Sequence, residues 1–227
     1  MAKQQRVSND RRRELEELDP FQENLIKTLE YVKTYKKQLL LIGLGFVSVI
    51  VIFSVVIFNI KSSENKASVL LSETLIKYNK IEDPKEAYLA VENNFSKLFE
   101  DFSNTDAGKM AKLKFAKICY NSSNFQKAFE LYKDALSDFK NEISMESLIL
   151  SALGRTCFAL DNFKEAEVYF KKIINKKDAL LKDEAFFSLG IIAEKTGDKN
   201  ASHDFYKKIV AEYPDSPYKA LAQNEIE

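Results

Sequence analysis

The chain has no tryptophan, a single histidine and two cysteines. That scarcity removes most metal and redox chemistry from consideration. A zinc site needs three or four clustered ligands, and His203, Cys119 and Cys157 are dispersed. The six glycines form no loop of the kind that cradles a phosphate. Charge of one sign is missing too. The 34 basic and 34 acidic residues cancel, and the part after residue 60 carries 25 basic and 27 acidic side chains. No strong field is available to hold nucleic acid. No catalytic constellation stands out, so the chain reads as non-enzymatic, with no cofactor, no metal, no small-molecule substrate and no nucleic-acid partner. His203 lies in a polar stretch and reads as a surface residue. What the chain does not lack is apolar material: 45% of residues are hydrophobic and 12% aromatic, which argues against disorder over most of its length. Residues 1–18 are charged and poor in apolar groups, and are expected to form a disordered cytoplasmic tail.

Residues 39–58 contain no charge, running from Leu39 to Phe58 through Gly43, Gly45, Ser48 and Ser54. A helix needs about 20 such residues to cross a ~30 Å hydrocarbon layer. The run is too long and begins too late for a cleaved signal, and no small-x-small site stands beside it. No lipidation cysteine adjoins it. Gly43 and Gly45 lack the four-residue spacing of a helix-packing motif. Lys27, Lys33, Lys36 and Lys37 precede the run, with Arg11, Arg12 and Arg13 further out, against Lys61 and Lys66 after it. That bias predicts a cytoplasmic N-terminus. The expectation is a single-pass protein of a bacterial inner membrane with its C-terminal domain in the periplasm. Asp19-Pro20, with Gln22 at the capping-box position, predicts a helix start. Phe21, Leu25, Leu29 and Val32 then keep helical spacing. The segments are therefore a tail (1–18), a cytoplasmic or interfacial helix (19–38), a transmembrane helix (39–60) and a periplasmic domain (61–227). The first helix serves either to dock a partner or to steady the anchor.

Beyond the membrane the pattern is helix, short polar turn, helix, with no strand alternation. Turns are marked at Asn121–Asn124, Asp161-Asn162, Thr196–Asp198 and Tyr213–Pro217. Three stretches are self-similar. Phe115-Ala116, Cys119, Phe125, Ala128 and Tyr132 correspond to Leu153-Gly154, Cys157, Phe163, Ala166 and Phe170, and to Leu189-Gly190, Ala193, Lys199, Ser202 and Tyr206. In each, a small residue lies sixteen positions before an aromatic. This is the pattern of a tetratricopeptide-like array, in which no hairpin buries its apolar face alone and stacking builds the core. Small residues at 116, 154 and 190 admit a close helix approach, and the aromatics are expected to fill the space toward the next repeat. The first half of the motif departs from the usual form: Lys112, Leu150 and Phe186 occupy its tryptophan position. Residues 65–103 read as a degenerate first hairpin and 216–226 as a terminal cap. Cys119 and Cys157 fall at equivalent positions of neighbouring repeats, on helix axes about 8–10 Å apart, which predicts free buried thiols. The fold class is all-α: one N-terminal transmembrane helix followed by a helical-hairpin solenoid.

With anchor and repeats in place, the architecture resembles the ancillary Sec translocon subunit family (YfgM-like). The resemblance covers roughly residues 20–227. It rests on the helix Phe21–Lys37, the anchor, the helix Ala67–Tyr78, the block Ala107–Ala116 and the turn-helix Asn124–Ala128. It implies association with translocon subunits, periplasmic chaperones and exported chains, as a membrane-tethered interaction module or chaperone cofactor. The alternative is a scaffold coordinating cell-wall or outer-membrane assembly.

Some tetratricopeptide domains clamp acidic C-terminal peptides with Lys and Asn. The corresponding positions here include Leu113, Lys117, Ala152 and Arg155, so that set is not reproduced. The candidate protein-binding face is instead Leu113, Tyr120, Leu148, Arg155, Phe158, Phe187 and Ile191. It is either open to a partner or covered by the terminal or post-membrane helix.

Overall fold

The computed structural model describes residues 20–227; the expected tail and the capping residue Asp19 lie outside them. The described residues are helical, with short turns and no strand. The chain separates into two compact units, one ending at Asn59 and the other spanning Ile60–Glu227.

Helix α1 runs Pro20–Asn79, with one residue, Tyr35 (φ −103°, ψ 15°), outside helical geometry. It is the only helix among the described residues long and apolar enough to cross a membrane, and none of its apolar stretch is buried. The two hydroxyls in that stretch do not interrupt it. Ser48 donates to the Leu44 carbonyl at 2.8 Å and Ser54 to that of Ile50 at 2.8 Å. Each polar group is thus satisfied within the helix, as a hydrocarbon surround requires.

The second unit contains the end of α1 and eight further helices: α2 (Pro84–Phe102), α3 (Asp106–Asn121), α4 (Phe125–Asp138), α5 (Ile143–Ala159), α6 (Phe163–Asn175), α7 (Lys182–Thr196), α8 (Lys199–Glu212) and α9 (Lys219–Asn224). Each of α3–α4, α5–α6 and α7–α8 is a hairpin, and α4–α5 and α6–α7 stack one hairpin on the next. Asp83 caps α2 by accepting from the N–H groups of Lys85 (2.9 Å) and Glu86 (2.8 Å), with Pro84 at the first helical position. The degenerate first hairpin is tied by Asn94, which donates to Thr74 Oγ1 at 3.2 Å, and by Lys77, which donates to the Ala90 carbonyl at 2.6 Å.

The three hairpin turns are built alike. Ser123 (φ 63°), Asp161 (φ 57°) and Gly197 (φ 87°) occupy one repeat position in the left-handed region. The next residue bonds back across the helix end: Asn124 N–H to Cys119 at 2.8 Å, Asn162 to Cys157 at 2.9 Å, Asp198 to Ala193 at 2.8 Å. A left-handed residue closed by such a long back-bond is the Schellman stop. Asn162 and Asp198 then cap the following helix through their side chains.

The sixteen-residue spacing is a direct contact. A Cβ on Gly154 would meet ring carbons of Phe170 at 2.7 Å, and one on Gly190 would meet the Tyr206 ring at 2.4 Å. Both rings are seated on the glycine of their own hairpin, while Tyr132, the equivalent ring of the first, lines a groove with Met145, Leu148 and Ala152 of the next repeat. At the tryptophan position Lys112 forms an ion pair with Asp138 at 2.9 Å, closing α3 on α4, while Leu150 and Phe186 are buried there.

One apolar core runs from Ala67 through Ile192. A smaller one gathers Phe186, Tyr206, Ile209 and Ala222 at the C-terminal end. Cys119 and Cys157 are free and buried, and burial pushes both thiols up to about 12. His203 is half-buried at the surface, with Nε2 3.4 Å from the Ile226 carbonyl.

Candidate docking groove

The first helices of two consecutive hairpins, α3 and α5, line one groove with stripes that run from exposed Lys114, Leu148 and Arg155 to buried Leu113 and Ala152. Met110, Leu113, Lys114, Lys117 and Tyr120 recur along α3 at helical spacing, with Asn121 beside them. Met145, Leu148, Ala152 and Arg155 do the same along α5, and Tyr132 of α4 forms the floor. Together they line a groove of about 540 Å³. The neighbouring stripe of α3, including Ala111, Phe115, Ala116 and Cys119, is buried in the core, which fixes the rotation of the helix and hence the residues facing the groove.

The groove mixes apolar and cationic groups. Leu148 is 49% exposed although its neighbours Ile149 and Leu150 are buried. Arg155 lies 3.5 Å from Glu184 of α7, whose carboxylate also accepts from the Ser151 hydroxyl at 2.6 Å. Burial raises the Tyr132 hydroxyl to about 12, with the Arg155 charge pulling the other way.

Four of the residues expected on a binding face meet here: Leu113, Tyr120, Leu148 and Arg155. The other three do not line this groove. Phe158 packs edge-on against Phe163 of its own hairpin at 5.2 Å, repeating the contact of Tyr120 with Phe125 at 5.2 Å. Phe187 stacks on Tyr218, ring centroids 4.9 Å apart, so the segment after Pro214 covers it. Ile191 is half-buried. Met110, Lys114 and Met145 were not anticipated. The signal for them was helical spacing: Met110 stands three before Leu113, Lys114 four after Met110, and Met145 three before Leu148, which places them on the same stripes.

A second concavity lies beside Tyr88 and Lys127. Its lysine is already matched: Lys127 donates to Glu92 at 2.7 Å and to the Tyr88 hydroxyl at 3.1 Å, and Tyr88 donates to Glu92. Lys127 also sits over the Phe115 ring, 5.1 Å from its centroid. Among the described residues no group of three His, Cys, Asp or Glu side chains is placed to hold a metal.

No family model matches the sequence, and no curated protein matches it significantly. Solved structures do. One is a kinesin light chain protein of Podosopora anserina with nearly identical tetratricopeptide-like repeats: TM-score 0.53, 12% identity, covering 74% of this chain and 83% of that one. Another is BtubC from P. vanneervenii: TM-score 0.50, 15% identity, covering 74% of this chain and 81% of that one. At these identities the likeness is one of fold, and the fold is an all-α tetratricopeptide-like stack preceded by one apolar helix.

Proposed function

We propose that this chain is a membrane-tethered protein-interaction module that works without catalysis. The observation that carries this reading is the joining of one exposed apolar helix, long enough to span a bilayer, to a hairpin stack whose α3–α5 groove displays Leu148 to solvent. A buried-core helix would not leave its apolar stretch exposed, and in the groove Leu148 lines one concavity together with Met110, Tyr120 and Met145 rather than standing alone. The lysine bias ahead of the span supports an N-terminus in the cytoplasm and a hairpin domain on the far side. The resemblance to the ancillary Sec translocon family supports a role beside the translocon, holding exported chains or folding factors as they emerge. Tethering raises the local concentration of the groove at the membrane, so modest affinity suffices.

Two measurements test this. A periplasm-active phosphatase fused after residue 227 is expected to be active; activity of a cytoplasmic reporter at the same point instead would reverse the topology. Photoreactive groups at Tyr120 and Leu148 in intact membranes are expected to capture translocon subunits, folding factors or nascent exported chains. Capture of cell-wall or outer-membrane machinery alone would replace the translocon role with that of an envelope-assembly scaffold.

A further inference from the structure

Helix α1 changes character at Tyr35. That residue leaves helical geometry although neither proline nor glycine stands within five residues of it. Just ahead of it, the Thr34 hydroxyl donates to the Glu30 carbonyl at 2.9 Å, a back-bond that favours bending of a helix. Beyond the break comes the charge-free run from Leu39. Before it, Phe21, Leu25, Leu29 and Val32 follow one another at four, four and three residues, share one face and are all exposed. The opposite face carries Glu23, Lys27 and Glu30, with Lys27 and Glu23 paired at 2.7 Å. The remaining cations, Lys33, Lys36 and Lys37, gather at the break and make no ion pair among the described residues. No Asp or Glu lies between Glu30 and Glu64 to neutralise them. Tyr31 and Tyr35, with ring centroids 4.5 Å apart, stand among these lysines. Tyrosine, apolar in body and polar at its tip, is enriched at the edge of a bilayer. A run that is apolar all round suits hydrocarbon, whereas a one-sided stripe suits the plane between hydrocarbon and water. One straight helix cannot serve both, because at 1.5 Å per residue Phe21 would stand about 27 Å beyond Leu39.

Resting on the membrane-tether reading above, we propose that residues 20–34 form a second membrane contact. They lie flat on the anionic lipid leaflet that the span enters, with the stripe toward the acyl chains and Lys33, Lys36 and Lys37 against lipid phosphates. The break at Tyr35 turns the chain from that plane into the span. The occupant of the stripe is a lipid surface because the stripe leads directly into the membrane run and the unpaired lysines sit at the end nearest the headgroups. Glu23 and Glu30 fall on the face turned to water, so neither carboxylate opposes the headgroup charge. The contact joins apolar burial to charge attraction, so it strengthens with the share of anionic lipid and is screened by salt.

The test places the full chain in lipid nanodiscs, whose two faces are both open to solvent, made of phosphatidylcholine alone or with phosphatidylglycerol added. Single cysteines carrying a nitroxide are introduced in turn from Glu23 to Thr34 and at Ile50. Cys119 and Cys157 are buried, and the parent chain gives the labelling background. Spin-label saturation by oxygen against a water-soluble nickel chelate reads the depth of each position. With phosphatidylglycerol, depth is expected to rise and fall with the helical period, deep at Leu25, Leu29 and Val32 and shallow at Glu23, Lys27 and Glu30. Access of the chelate to Leu29 is expected to be at least about fivefold lower than to Glu30, with a smaller margin in phosphatidylcholine alone. The Lys33→Gln/Lys36→Gln/Lys37→Gln variant is expected to lose the difference between the two lipids. A depth that falls steadily from Val32 to Glu23, stripe positions as open to the chelate as Lys27, a pattern identical in both lipids, or a lipid dependence that survives the triple variant overturns the proposal. Ile50 separates the two readings. If it is deep while the stripe is open, only the surface contact falls; if it is itself open to the chelate, the tether falls as well.

Discussion

The Glu64 carboxylate holds the start of a helix 42 residues further along the chain: it accepts from the backbone N–H of Asp106 at 2.8 Å and of Ala107 at 3.0 Å. Helix α3 already has a local cap in Thr105, whose hydroxyl oxygen accepts from Gly108 N–H at 2.9 Å. Glu64 satisfies two further N–H groups and brings negative charge to the positive end of the helix dipole. Replacing it with Gln keeps the size and removes the charge. Glu64→Gln is expected to lower stability by about 1 kcal/mol and Glu64→Ala by somewhat more, since cap losses run ~0.5–2 kcal/mol. Chemical denaturation of the full chain in detergent measures both. An unchanged midpoint would mean that Thr105 alone suffices.

Gly154 and Gly190 carry a second prediction. A methyl on either lies closer to a buried ring than real contacts allow. In an open helix Gly→Ala would stabilise by about 0.5–1 kcal/mol. Here overpacking, at about 1–3 kcal/mol, should win. Gly154→Ala is expected to lower the melting temperature, and adding Phe170→Leu should recover part of the loss by freeing the seat. A double variant no better than the sum of the two single losses would show that the ring and the glycine are not coupled.

At the hairpin turns the expected sign reverses. Ser123 and Asp161 adopt a left-handed backbone that costs an L-residue about 1–2 kcal/mol, less for Asp. Gly197 fills the same repeat position without that cost. Ser123→Gly is expected to stabilise by roughly 0.5 kcal/mol after the entropy of the more flexible unfolded chain is subtracted. Gly197→Ala, with open space around its Cβ but φ 87°, is expected to destabilise. Thermal melts of the two variants should therefore shift in opposite directions.

The Tyr88–Glu92–Lys127 cluster makes stability depend on pH at both extremes. Hydrogen bonds from Lys127 and then Tyr88 hold the Glu92 carboxyl below its ordinary range. Its contribution is complete above the unfolded carboxylate value and is lost as pH falls through the lower folded value. Burial works against the Lys127 charge, but bonds to Glu92 and Tyr88 outweigh it and raise its value. That contribution is present below the ordinary lysine range and is lost as pH rises through the raised value. Both side chains are more than a third exposed, 34% for Glu92 and 42% for Lys127, so solvent limits the effect to less than about 1 kcal/mol. Glu92→Gln is expected to be less stable than the parent at neutral pH, with the gap closing as pH falls through the lowered folded-state value of Glu92. A gap independent of pH would show that packing, not charge, distinguishes the two.

What the sequence revealed was local. Helix periods, turn positions and the sixteen-residue link from Gly154 to Phe170 are set within one hairpin, so spacing alone exposes them. Partners supplied from elsewhere left no such trace. Nothing near Lys112 signals that Asp138 takes up its charge, and nothing near Glu64 signals the α3 N-terminus. The groove divides in the same way. Leu113, Tyr120, Leu148 and Arg155 follow from helical phase. Phe187 shares the expected face, yet the chain after Pro214 returns Tyr218 onto it, a path that no local pattern specifies. Lys114 was passed over because a charged residue on an open stripe resembles any solvated one until its neighbours are placed.

The division of the core has a kinetic consequence. The cluster of Phe186, Tyr206, Ile209 and Ala222 is small beside the one that runs from Ala67 to Ile192. In a stacked array each repeat leans on its neighbours, and the end with less buried apolar surface frays first. Amide protons of α8 and α9 should therefore exchange through partial openings while those of α3 and α5 exchange only on global unfolding. Thermal unravelling then begins at the C-terminal hairpin and reaches the groove last, so a protein already loosened at its end still presents an intact docking surface.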